Sequence, residues 1–283
     1  FSLFPIYIFA SVQISSVFLK LFFIIIFLFS IVNLLKKQNY LYLTLFSIVS
    51  GLLILTRGEF ILFYFFSIFY FFVYLKRSYK NVIISIILTS LIITPYLKRN
   101  FENYGTLVLT KSVGYNLLKG NNPLAEAEGN TYFITKNFSQ KNLKIETNNK
   151  YELELDDFYK NQAIKIINNN PVKYLKLYFK KVIAFLFVDI NSTYPQYYNL
   201  LNIFPKLLLS FFAFLGGIFC LRKKGFFQFL SFYYFGNIFL FSTFFILPRY
   251  SLILLPVQIL LSLEIIKLFF RKLNNQLFNN FFS

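Results

Sequence analysis

A chain without histidine leaves proton transfer and nucleophilic chemistry to aspartate, glutamate, lysine and tyrosine. This one has no His, no Trp, no Met and one cysteine in 283 residues. Histidine metal sites, Ser–His pairs and histidine general bases are thereby excluded. Cys220 lies in an apolar run, so no disulfide framework exists. The residues that stand out are charges at the ends of long apolar runs. Arg57 ends one run in "TRGE", two residues before Glu59, and Arg249 opens another in "FFILPRYSLILLP", followed by Tyr250. Charge at such a place is costly unless partnered or functional. A guanidinium stays protonated in a low dielectric and offers a forked pair of donors, which matches phosphate. The plainer alternatives are a snorkelling Arg57 paired with Glu59, and an aromatic-belt Tyr250. Lys98 and Arg99 either extend the electropositive set or merely flank a run, and Lys20 either snorkels or joins it.

The elements that must position these residues are apolar helices. Hydrophobic residues make up 57% of the chain and aromatic ones 22%, with 42 Phe and 21 Tyr, more apolar surface than a soluble domain of this size can hide. Apolar runs fall at 17–35, 41–56, 60–75, 81–97, 200–221, 226–247 and 250–270, after a shorter piece at 1–14. Their lengths predict an all-α, polytopic helical membrane protein of about seven to eight spans with one large insert. The domain reading is an incomplete N-terminal bundle over 1–97, an insert of loop and interfacial helices over 98–198, C-terminal spans over 199–272 and a tail over 273–283. The chain opens inside an apolar segment without Met, which reads as a fragment lacking its N-terminal part. The connectors "KKQN", "KRSYK", "RKK" and "RK" hold ten basic and no acidic residues, whereas eight of the eleven acidic residues lie between 98 and 175. Basic connectors stay cytoplasmic, so the insert is expected on the external face. The net charge of +18 sits largely in those connectors, with no basic stripe on a soluble domain, and nucleic-acid binding is not expected.

Within the insert, residues 98–150 read as irregular, punctuated by Gly105, Gly114, Gly120, Pro123 and Gly129. A helix is expected from 155, with Asp156 and Asp157 in its first turn. Asn170–Pro171 predicts a cap and a new start. The stretch 178–188 is too short to span and holds Lys180 and Lys181, so it reads as an interfacial helix whose lysines snorkel. Glu264 is expected to pair with Lys267 inside the last span. A carboxylate-held divalent ion is possible on the external side, but no residue is assigned to a metal.

Four segments line up in order: "GLLILTRGEF" at 51–60, "TPYLKRNFENYGTLVLTKSVGYNLLKGNNP" at 94–123, "YKNQAIKIINNNPVKYLKLYFKKV" at 159–182 and "PRYSLILLP" at 248–256. The series resembles the GT-C membrane glycosyltransferases of the family 39 type, the branch of the protein O-mannosyltransferases and lipid A aminoarabinose transferases. Gly58 and Tyr96 depart from it, standing where that family usually has Pro and Trp. The resemblance implies transfer of a sugar from a polyprenyl-phosphate donor to a lipid, glycan or protein acceptor, at the external face of a bacterial inner membrane. It implies that Arg57, Arg249, Arg99 and Tyr250 meet the donor phosphate. It also implies that the catalytic acids lie upstream of Phe1. Gly114, Tyr115, Asn116, Gly120, Asn121 and Asn122 would then form a sugar- or acceptor-holding loop, glycines giving close approach and amides serving sugar hydroxyls. A polar loop rich in Asn through genome composition is the bland alternative. A transporter or flippase of lipid-linked saccharides is disfavoured by midspans nearly free of charge, and a non-catalytic assembly partner stays open.

Overall fold

The computed structural model describes residues 16–37, 39–75, 79–138, 148–189, 192 and 200–281, without the side chains of 16, 72–75, 200–202, 248, 249 and 272–281. The piece at 1–14 and most of the "KRSYK" connector therefore lie outside the described residues. Eleven helices and no strand occur among them: α1 Ser16–Lys36, α2 Tyr40–Thr56, α3 Phe60–Leu75, α4 Tyr79–Tyr104, α5 Val113–Gly120, α6 Tyr132–Asn137, α7 Tyr151–Asn169, α8 Pro171–Leu186, α9 Leu200–Cys220, α10 Phe226–Ser242 and α11 Pro248–Phe281. Four segments are long and apolar enough to cross a membrane, namely Val17–Lys36, Tyr79–Tyr104, Ile203–Cys220 and Tyr250–Arg271; Tyr40–Thr56 and Phe60–Phe71 are shorter apolar helices.

Asn39 starts α2 by accepting the Leu41 N–H at 3.0 Å, and Asn170 starts α8 by accepting the Lys173 N–H at 3.2 Å. Pro171 stands at the first helical position of α8, as the Asn–Pro pair predicts. Two expected boundaries move. α4 does not end with the apolar run at 97 but continues to Tyr104, and α5 and α6 make helical two further parts of the 98–150 stretch expected to be irregular. Pro95 lies inside the helix, and in the polar turns beyond it the buried Asn100 donates its side-chain amide to the Val108 carbonyl at 2.7 Å, with an exposed Lys98–Glu102 pair at 3.8 Å beside it. The apolar run at 226–247 is helical only to Ser242, and residues 243–247 are irregular.

Aromatic side chains from four helices form the centre of the core. The Phe27 ring of α1 lies 5.4 Å from Phe46 of α2, 5.0 Å from Phe60 of α3 and 6.5 Å from Tyr233 of α10. Where helices touch more closely, glycine replaces bulk: a Cβ on Gly51 would stand 2.8 Å from Ile92 of α4, and one on Gly216 would stand 2.1 Å from the Leu261 carbonyl oxygen of α11. At one end, Glu264 of α11 accepts from Lys267 at 3.1 Å, as expected. It also accepts from Lys223, in the α9–α10 connector, at 2.5 Å, so this carboxylate ties α11 to that connector. The outward faces carry apolar side chains, Phe22, Phe69, Leu91 and Phe211 among them, each more than half exposed. Exposed apolar surface of this extent agrees with the four helices long and apolar enough to cross a membrane.

The α9–α11 approach gives a direct check. Gly216→Val should lower the stability of detergent-solubilised protein by about 1–3 kcal/mol through steric displacement. Unchanged thermal unfolding would contradict the approach.

Candidate functional site

The irregular backbone at 243–247 lies against the insert. Lys181 of α8 is fully buried; its Nζ donates to Asn121 Oδ1 at 2.9 Å and to the Phe244 carbonyl at 2.6 Å. Asn121 Nδ2 donates to the Thr243 carbonyl at 2.9 Å, and Ile246 N–H to the Ala127 carbonyl at 2.8 Å. A Cβ on Gly120 would fall 1.9 Å from the Phe244 oxygen, so only glycine permits this approach. The burial of Lys181 departs from the expectation that both lysines of this stretch snorkel. Lys180 is exposed and pairs with Glu126, while Lys181 points inward, on the face of Tyr174, Leu177 and Phe185. The spacing 174, 177, 181, 185 is the helical period of that face, a signal legible in sequence.

The backbone leaving this clasp opens α11 and delivers Tyr250. The Arg57 guanidinium carbon lies 4.9 Å from the centre of the Tyr250 ring, a cation–π contact. Tyr250 stacks at 5.3 Å on Phe241, and Lys20 Nζ lies 5.6 Å from the Phe241 ring centre. One carboxylate serves both cations: Glu59 Oε1 is 3.2 Å from Arg57 Nη1 and 3.7 Å from Lys20 Nζ. The insert borders the same turn, because a Cβ on Gly58 would stand 3.0 Å from Thr110 Oγ1. Arg57, Lys20 and Tyr250 therefore meet, although they are remote in sequence. The backbone of Arg249 is the residue before Tyr250, and its side chain lies outside the described residues. Arg99 is exposed on α4 and makes no hydrogen bond or ion pair among the described residues. With Lys20 and Arg57 against Glu59, this cluster carries one positive charge in excess, a place suited to a monoanion.

The Gly–Tyr–Asn–Leu and Gly–Asn–Asn residues are helical or bonded within the protein. Asp156 accepts the backbone N–H groups of Gly114 at 3.0 Å and Tyr115 at 2.9 Å. A Cβ on Gly114 would lie 1.9 Å from the Asp156 carbonyl oxygen, which is how α5 settles on α7. α7 begins at Tyr151, not at 155, so Asp156 sits in its second turn and caps α5, not its own helix. Asp157 instead pairs with Lys111 at 2.5 Å. Asn122 donates to the carbonyls of Leu118, Lys119 and Asn130 and accepts from Leu124 N–H. Of the six residues, Tyr115 and Asn116 remain partly exposed; Gly114, Gly120, Asn121 and Asn122 are buried.

A second polar group carries no mark in the sequence. Glu128 and Asp189, each 8% exposed, line a small cavity with Lys206 and Ser251, the residue after Tyr250. Ser192 donates its hydroxyl to Glu128. Nothing in the spacing of 128, 189, 206 and 251 marks them, since they come from the insert, its exit and two helices. No group of three His, Cys, Asp or Glu residues able to hold a metal occurs among the described residues. Comparison with known proteins adds no relative: no family model, no curated protein and no solved structure matches the chain.

Two outcomes follow. Burial pushes the Lys181 ammonium down to about 7. In the unfolded chain a lysine loses its proton near 10.4, so between about 7 and 10 the unfolded state binds the extra proton and stability rises with pH. Below pH 7 the burial penalty is present in full. Thermal unfolding in detergent should show this rise, and Lys181→Met should flatten it; an equal rise in both would contradict the buried amine. Asp156→Ala should cost roughly 1–3 kcal/mol by freeing two amides at the start of α5, read as earlier protease cleavage within 105–135. Unaltered cleavage would remove Asp156 from that role.

Proposed function

We propose that this chain is a glycosyltransferase of the membrane, acting on a sugar carried by a polyprenyl phosphate and passing it to a lipid, glycan or protein acceptor at the external face. The observation that carries the reading is the meeting of Arg57, Lys20 and Tyr250 around Glu59, at helix ends bordered by the insert. A prenyl-borne phosphate presents its charge at that depth. The order of the four motif segments supports the same class. In this reading the apolar runs supply seven to eight spans, the basic connectors face the cytoplasm of a bacterial inner membrane, and residues 98–198 lie outside. α8 then rests on the membrane surface, since Val172, Leu175, Phe179 and Ile183 form an exposed apolar stripe.

Transfer would be a single displacement at the anomeric carbon. The acceptor oxygen forms the new bond, the bond to the donor phosphate oxygen breaks, and the phosphate leaves with the electron pair. Arg57, oriented by Tyr250 and Glu59, would offset the charge growing on that phosphate. Arg249 and Tyr250 would complete the donor side, with Arg99 further out. Tyr115 and Asn116 are the residues of the loop with side chains partly free to meet a sugar or acceptor. The proton of the acceptor goes to a base outside this set, and a divalent ion belongs to the reading only as an addition.

A non-catalytic assembly partner is the second reading. It is favoured by Asn121 and Asn122, whose amides serve the protein itself. Membranes containing the protein and a labelled polyprenyl-phosphate sugar separate the two. The transferase reading expects covalent transfer of label, reduced roughly 100-fold or more by Arg57→Ala at unchanged protein level. Transfer at the wild-type rate in Arg57→Ala would overturn the role of Arg57, and no transfer by the wild type would favour the assembly partner.

A further inference from the structure

The opposite ends of the helices hold a cavity that the site above does not use. It has a volume of about 100 Å³ and lies between the start of α2, the end of α3 and the start of α4. Leu34, Leu43, Phe46, Ile68, Phe71 and Val82 form its walls, while Asn39, Tyr40, Asn81 and Ser85 give it polar points. Ser85 is held in place, accepting from the Ser47 hydroxyl at 2.9 Å and lying 3.3 Å from the Tyr64 hydroxyl. A space of that size, about three water volumes, takes a group of a few heavy atoms and not a whole chain. Its mixed lining suits a group that is itself part polar and part apolar.

Charge selects the kind of group. Lys36 and Lys37 stand in the turn that leads to Asn39, Lys80 precedes Asn81, and neither connector contains an acidic residue. The amide N–H groups that open α2 and α4 point toward this end, which adds the positive ends of two helix dipoles. Tyr40 and Tyr79 are 68% and 64% exposed beside it, where aromatic rings sit at headgroup level. Exposed Leu41, Ile83 and Ile87 continue away from the rim as an apolar surface.

We propose that this cavity binds one anionic phospholipid of the adjoining leaflet, its glycerol–phosphate end in the cavity mouth and its acyl chains along the exposed faces of α2 and α4. The phosphate meets Lys36, Lys37 and Lys80, and the ester region meets Asn39 and Asn81. The inference needs the helices to lie in a membrane and is independent of any transferase activity. It differs from diffuse attraction of basic connectors to anionic lipid, which needs no cavity and is screened by salt.

Native mass spectrometry of the purified chain, released from micelles with added phosphatidylglycerol or phosphatidylcholine, tests it. One phosphatidylglycerol per chain should survive conditions that strip phosphatidylcholine, and should persist at high salt. Leu43→Trp, which fills the cavity, and Val82→Phe, at a half-buried wall position, should each lower retention by about tenfold or more. The triple change Lys36→Gln, Lys37→Gln, Lys80→Gln should abolish the preference for phosphatidylglycerol. Equal retention of the two lipids, full retention when either folded cavity-filling variant is used, or loss of the bound lipid in high salt would overturn the proposal. So would competition by free glycerol 3-phosphate at millimolar concentration, which would assign the cavity to a soluble anion.

Discussion

The buried Lys181 ammonium, together with Asn121 and Ala127, clasps the insert to the backbone that joins α10 to α11. Between α10 and α11 the backbone leaves the helix for five residues at the end of an apolar run, where its carbonyls have no neighbours in the ladder. Irregular backbone beside a lipid phase persists only when protein covers it. Lys181 and Asn121 supply donors, Ala127 supplies an acceptor, and Gly120 lets the insert come close enough for all of them. The direction in which α11 sets off, and hence the place of Tyr250 under Arg57, is inherited from this clasp.

Charge elsewhere follows the same economy of position. Arg57, Lys20 and Glu59 gather at one end of the helices, and Lys223, Lys267 and Glu264 at the other. Between them, the described polar side chains mostly turn back on their own helices: Ser67 on the Phe63 carbonyl, Asn237 on Tyr233 and Ser242 on Ile238. Such local bonds satisfy a hydroxyl or amide without a partner helix, so they leave packing to the Phe27-centred aromatic core. The result separates two polar ends by an apolar middle. One end carries the insert and the candidate site, the other the basic connectors and the small cavity.

How much of this was legible in the sequence depended on whether a signal was local. The helices of the apolar runs, the Asn170–Pro171 restart and the Glu264–Lys267 pair all follow from residues within a few positions of one another, and each is present. Long-range partners were not legible. Lys223 as a second partner of Glu264, Asp156 as the cap of α5, and the Glu128–Asp189–Lys206 group all depend on tertiary approach. Lys181 is the instructive case. Its helical spacing with Tyr174, Leu177 and Phe185 was available, but the cost of burying an ammonium argued for snorkelling, and only Asn121 and Phe244, supplied from afar, reverse that balance. The end of α4 follows the same rule: the apolar run stops at 97, and the polar turns beyond it stay helical with Asn100 bonded to the Val108 carbonyl from outside the helix.

The central claim is that the insert closes over the turn carrying Arg57. It is tested most directly by a cysteine pair at Gly58 and Thr110, in a Cys220→Ser background, oxidised in intact membranes. A Cβ at 58 stands within disulfide reach of residue 110, so the account requires rapid formation of an intramolecular 58–110 disulfide without denaturant. Efficient cross-linking of a folded, membrane-inserted chain meets that requirement. A folded chain whose two thiols stay reduced, or link only between molecules, would place the insert elsewhere and contradict the account.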